Sequence, residues 1–171
     1  MNPAEDRRGR LAVLVVAALA LVFTSGIAVV PWLETRAIAR APILRLAYAP
    51  LCHQIPERSF RIASRPAAVC TRCSGLYAGG VAGLLVAAGL AVGRRRRPAA
   101  WWLAAAVAPT AIDFAVGWLG LPALPNLPRA VLAVPAGFVA GLFLSVGIHD
   151  LFESRRRAGR ALRDPLGAGG M

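Results

Sequence analysis

Residues 11–33 read LAVLVVAALALVFTSGIAVVPWL. No charge interrupts them, and a helix needs about 20 apolar residues to cross a hydrocarbon core of about 30 Å. This run therefore places a membrane span near the N-terminus. A short basic head, Arg7-Arg8-Gly9-Arg10, precedes it. Secretory signal peptides begin in the same way, and Gly26-Ile27-Ala28 has the small-residue pattern of a cleavage site. The uninterrupted length favours a retained helix.

Three further runs, at 74–93, 100–121 and 129–149, have the same character. The 171-residue chain is 57% apolar, and its mean hydropathy of +0.59 is too high for an ordinary soluble domain. The expected fold is all-α and integral to the membrane. Residues 1–150 form one domain of four transmembrane helices, with a loop at 34–73 between the first two and a basic, partly disordered tail at 151–171. Within the loop, 36–51 (RAIARAPILRLAYAPL) spaces arginines among aliphatic side chains. That pattern predicts an amphipathic helix in the headgroup plane, begun or bent at Pro42. Pro50 and Pro56 exclude regular helix between them, and 57–66 reads as an exposed polar loop.

The net charge of +12 comes from twenty arginines with no lysine. A balance this basic can mark a nucleic-acid binder, but the distribution argues against one. Arg7, Arg8 and Arg10, the block Arg94–Arg97, and Arg155, Arg156, Arg157, Arg160 and Arg163 all fall on one side of a four-helix protein. The positive-inside rule makes that side cytoplasmic, with both termini there, in the cell (inner or plasma) membrane. Contact with anionic lipid accounts for the charge. The loop itself carries seven arginines, at 36, 40, 45, 58, 61, 65 and 72; with Arg129 the outer side has eight against twelve inside.

Gly75, Gly79 and Gly83, and again Gly137, Gly141 and Ser145, recur every fourth residue. Small residues at that spacing let helix backbones approach closely in lipid. The second and fourth transmembrane helices are expected to pack through these faces, with a homo-oligomer as the alternative use of them.

All three cysteines and one of the two histidines lie between Cys52 and Cys73. Cys70 and Cys73 have the C-x2-C spacing that offers two thiolates to a tetrahedral ion such as zinc, and Cys52 and His53 complete a Cys3His set. Adjacent side chains diverge, so three thiolates with either His53 or water in fourth place is the expected arrangement. An open fourth position suits catalysis. Two other readings compete: a structural disulfide, and thiol–disulfide exchange by Cys70 and Cys73, whose place at a helix start favours the thiolate. The second resembles, in topology and one motif, the quinone-coupled disulfide-forming reductases of bacterial inner membranes. Those relay electrons through a second cysteine pair, where this chain has Cys52 alone.

Asp113 lies within the third span, where an ionisable group is costly and by default paired or functional. Pro109 stands four residues before it. Arg129 is the charge expected to reach Asp113. The sharper alternative makes Asp113 a metal ligand or general base, with Asn126 and Arg129 an anion-binding pair beside the metal. His149 and Asp150 close the last span on the far side.

Cys52-His53-Gln54, Arg58-Ser59-Phe60, Cys70-Thr71-Arg72-Cys73-Ser74-Gly75-Leu76-Tyr77, Asp113, Asn126, Arg129 and Gly137 together resemble a family of small multipass membrane proteins of unknown function, of the DUF2085 type. The resemblance spans about 48–145, and departs where Phe114 stands in place of an expected glycine. It implies membrane location and little about activity, and it draws Gln54, Arg58 and Arg72 into the site. Three function classes follow. The first is a membrane zinc protein, extending to an enzyme on a small amphiphilic substrate. The others are a thiol oxidoreductase and a non-enzymatic assembly or transport subunit whose metal pins the loop.

Overall fold

The computed structural model describes residues 3–90, 99–122 and 124–161. The chain is an all-α membrane protein. Helix α1 spans Pro3–Thr35, α2 Ala41–Leu46, α3 Thr71–Leu90, α4 Ala100–Trp118 and α5 Asn126–Ala161. Four of these are long and apolar enough to cross a membrane: α1, α3, α4 and α5. The block Arg94–Arg97, Arg163 and the end of the tail lie outside the described residues. Helix α5 continues through Ala161, beyond the apolar run, carrying Arg155 and Arg157 on exposed surface.

The most extensive packing joins α3 to α5, and glycine makes it possible. Gly75 lies on the Ala130 carbonyl, Gly79 on that of Val134 and Gly83 on that of Phe138. Gly137 faces the Leu76 carbonyl and Gly141 that of Gly80. A side chain at any of these positions would meet backbone, which cannot swing aside. Both glycine faces are therefore packed against each other within one chain, the use of them expected first. Gly83→Ala is expected to destabilise the detergent-solubilised protein by about 1–3 kcal/mol. An unchanged unfolding midpoint would contradict this packing.

Helix α1 seals the groove from the other side, with Val13 and Ala17 against Leu84 and Ala88. At the far end of this helix Gly9 lies on the His149 ring, so that histidine is half-buried at the start of α1. Helix α4 is tied to α5 by the Thr110 hydroxyl, which donates to the Leu132 carbonyl (2.9 Å). Its other face, with Trp101, Trp102, Ile112 and Trp118, is exposed, as a lipid-facing helix requires. Tryptophans stand at both of its ends, a placement that suits membrane–water interfaces. The helix stops at Trp118, earlier than the apolar run, because Gly120 takes φ +73°. The amides of Gly120 and Leu121 then fold back on the carbonyls of Gly117 and Val116, the glycine-dependent cap of a helix C-terminus.

The loop between α1 and α3 is more ordered than its sequence implied. Only Ala41–Leu46 of the expected interfacial helix is helical, though Ile38, Ile43, Leu46 and Leu51 remain exposed, an apolar surface suited to the headgroup boundary. Pro56–Arg58 form a 3-10 turn. Two short antiparallel strands follow, β1 (Arg61–Ile62) and β2 (Arg65–Pro66), with Arg61 opposite Pro66. Ala63 and Ser64 both take positive φ, as a two-residue hairpin turn demands, but without the Asn-Gly that usually signals it.

Arg45 locks this loop to α1. Its guanidinium donates to both carboxylate oxygens of Glu34 (2.7 and 2.8 Å) and to the carbonyls of Pro66 (2.8 Å) and Ala67 (3.2 Å). It is a clamp rather than one of the snorkelling arginines that its sequence neighbourhood suggested. Arg45→Ala is expected to lower stability by about 1.5–3 kcal/mol, the worth of a hydrogen bond to a charged group. Limited proteolysis around 57–66 would report the loosened loop, and an unchanged cleavage rate would oppose the assignment.

Candidate metal centre

The loop delivers Cys52 to the start of α3 through an aromatic and aliphatic cluster. Ile27, Val30, Tyr48, Ala67, Ala68 and Val69 bury it, with Phe23 and Tyr77 packed alongside. Phe23 meets Tyr48 at 4.6 Å and Tyr77 edge-on at 5.3 Å between ring centroids. The Tyr48 hydroxyl donates to the Phe23 carbonyl (2.7 Å), in space left by Gly26. That bond crosses from the loop to α1 and fixes the residues just before Cys52.

Cys52, Cys70 and Cys73 place their sulfurs within 4.8 Å of one another. Cys52 is buried and the other two are half-buried. Two backbone amides point at the Cys52 sulfur: Gln54 N–H at 3.4 Å and Cys70 N–H at 3.2 Å. The first depends on Gln54 taking φ +51°, which turns its amide back over the preceding cysteine. The Gln54 side chain holds that turn by donating to the Arg45 carbonyl (2.9 Å). Cys70 and Cys73 stand 3.4 Å apart, sulfur to sulfur. The neighbouring Cys73 thiol holds the Cys70 thiol pKa below the usual range for a cysteine, against the opposing cost of burial. The first turn of α3 is closed by Ser74, whose amide and hydroxyl both donate to the Cys70 carbonyl.

His53 is not one of the three clustered ligands. It lines the same cavity, about 160 Å³, with the cysteines, Arg58, Thr71, Arg72, Phe114 and Arg129. Asp113 likewise stands outside the sulfur group. It is 4% exposed, and its principal partner is Arg72, whose Nε donates to Oδ2 at 2.6 Å and whose Nη2 reaches the Asp113 carbonyl at 3.2 Å. The Arg72 guanidinium also lies over the Phe114 ring, 5.7 Å from its centroid. Arg129, expected to pair with Asp113, does so at 3.7 Å from Nε to Oδ1. That is an ion pair too long to be a hydrogen bond, and both atoms lack hydrogen-bond partners. Asn126 donates to the loop carbonyls of Glu57 and Ser59, each at 3.4 Å. Helices α4 and α5 thus converge on the cysteine loop through Asp113, Arg129 and Asn126. Arg72, two residues after Cys70, is the connection that spacing alone did not give.

No solved structure matches the chain. The uncharacterized protein MJ1492 of Methanocaldococcus jannaschii is 32% identical over 102 residues, which are 59% of this chain and 65% of that relative. The chain therefore spans just under two thirds of the relative's length. A family model matches residues 52–143, more than half of the 171. That segment opens on the first cysteine, includes Asp113 and Arg129, and closes beyond the glycine face of α5. With its four membrane helices, the chain belongs to the family described as Predicted membrane protein (DUF2085).

Proposed function

We propose that the protein is a membrane metalloprotein that holds a zinc-like ion through Cys52, Cys70 and Cys73 at the outer face of the cell membrane, with both termini cytoplasmic. The observation that carries this is the approach of three sulfurs to within 4.8 Å. Tetrahedral zinc with Zn–S bonds of about 2.3 Å sets its sulfurs about 3.8 Å apart, so small side-chain rotations suffice. The two amides directed at the Cys52 sulfur are placed as outer-shell donors to a metal-bound sulfur. His53 or water takes the fourth position, and in the latter case the bound ion supplies Lewis acidity to an amphiphilic substrate. Arg129 lines the cavity beside that position, with Asp113 paired to it from α4 and Asn126 tying α5 to the loop.

Cobalt substitution tests the reading. Cobalt-loaded protein is expected to show thiolate-to-metal charge transfer in the near ultraviolet and intense tetrahedral bands in the visible, both lost in Cys73→Ser. Cobalt bound without thiolate charge transfer would sink it.

The 3.4 Å approach of Cys70 and Cys73 favours a second reading. In it the two thiols form a disulfide, giving two electrons and two protons to a quinone. That reading requires Cys70 and Cys73 and is indifferent to His53→Ala.

A further inference from the structure

We propose that the cavity beside the three sulfurs binds a phosphate group, carried by an amphiphile whose apolar part lies against the rim. Arg58, Arg72 and Arg129 line the cavity, and among the described residues the carboxylate paired with Arg72 and Arg129 is that of Asp113. Positive charge is thus in excess there. Arg72 spends its Nε on Asp113. Arg129 is 5% exposed; its Nε faces Asp113 Oδ1 at 3.7 Å without a hydrogen bond, and the hydroxyl of Thr71, a 1% exposed residue that also lines the cavity, has no partner. Buried donors are normally satisfied, and a guanidinium beside a hydroxyl is matched by the oxygens of a tetrahedral oxyanion.

Size and surroundings agree. The cavity's 160 Å³ is roughly five water volumes, the scale of one phosphate group. Its rim carries Leu51 and Ile55 from the loop and Phe114 from α4, all exposed and apolar. In a membrane, such a rim beside buried arginines suits a ligand with a charged head and a hydrocarbon tail. Phe114, standing where the family resemblance led us to expect glycine, supplies part of that rim. The inference shares the cavity of the proposed metal centre and rests on that reading for the ion, while the arginines stand without it.

Calorimetric titration of the full chain in detergent tests both together, with zinc content measured on each sample. The probes are inorganic phosphate, short-chain phosphatidic acid and, as a control, short-chain phosphatidylcholine. Wild type is expected to bind phosphatidic acid, and Arg58→Gln and Arg129→Gln to bind it about ten-fold more weakly or worse with zinc unchanged. Arg58 is exposed, so its variant reports even where Arg129→Gln does not fold. Equal affinity for inorganic phosphate would keep the phosphate site and assign it to the free anion, removing the amphiphile. Zinc present with no binding of either phosphate probe overturns the inference and spares the metal centre. Phosphate binding lost in Arg58→Gln from a protein without zinc does the reverse. Zinc lost in both arginine variants, with no phosphate bound by wild type, assigns the arginines to balancing thiolate charge.

Discussion

Asp113→Asn is expected to destabilise the folded protein by about 3–5 kcal/mol, the cost of removing one partner from a buried ion pair. The exchange keeps the side-chain volume and removes the charge. Two guanidiniums depend on that charge: Arg72, bonded to Oδ2 at 2.6 Å, and Arg129, held at 3.7 Å from Oδ1. Asp113 and Arg129 are 4% and 5% exposed, so water does not compensate. The surrounding lipid raises the cost of an uncompensated charge. Adding Arg129→Gln to Asp113→Asn is expected to recover part of the loss, with a coupling of about 0.5–3 kcal/mol in a double-mutant cycle. Unfolding of the purified variants in detergent measures both terms. If Asp113→Asn is as stable as wild type, the carboxylate does not organise the helices around the site.

Cys73→Ser is expected to abolish metal binding and with it the stability that the ion confers. An ion present at about 1,000 times its dissociation constant contributes about 4 kcal/mol to the folded state. A chelator should therefore lower the unfolding midpoint of wild type to that of Cys73→Ser, and should leave the variant unmoved. The choice of Cys73 matters. Cys52 is buried among Ile27, Val30 and Val69, so its replacement would disturb packing as well as ligation, whereas Cys73 is half-buried at the first turn of α3. A wild-type midpoint indifferent to chelator would mean that the three thiols work without an ion.

The four membrane helices were legible because each is a continuous apolar run, and lipid demands little more of a helix than length and composition. The α3–α5 contact was legible for a related reason: glycine at every fourth position has few other uses in a membrane. The cysteine group stood out because it holds every thiol of the chain. What escaped the sequence was pairing. Arg72 and Arg129 are equally basic as letters, and only the direction of the first turn of α3 brings Arg72 onto Asp113 at hydrogen-bond distance. Arg45 sat in an apparent amphipathic pattern, yet Glu34, eleven residues earlier, accepts from its Nε and Nη2. The hairpin at 61–66 was hidden because Ala63 and Ser64 adopt positive φ with no glycine or asparagine to announce it. Gln54 does the same beside Cys52, where the turn aims an amide at sulfur. At Gln54 that turn is held by the side-chain bond to the Arg45 carbonyl, a contact that local propensity does not announce.

Metal content of the detergent-purified full chain, by plasma mass spectrometry with a thiol count on the same sample, tests the metal centre most directly. The expected result is about one zinc per chain, with three thiols protected from alkylation until the ion is removed and the zinc absent from Cys73→Ser. No metal, with two of the three thiols oxidised and recoverable by reductant, would contradict the metal centre and make Cys70 and Cys73 a redox pair.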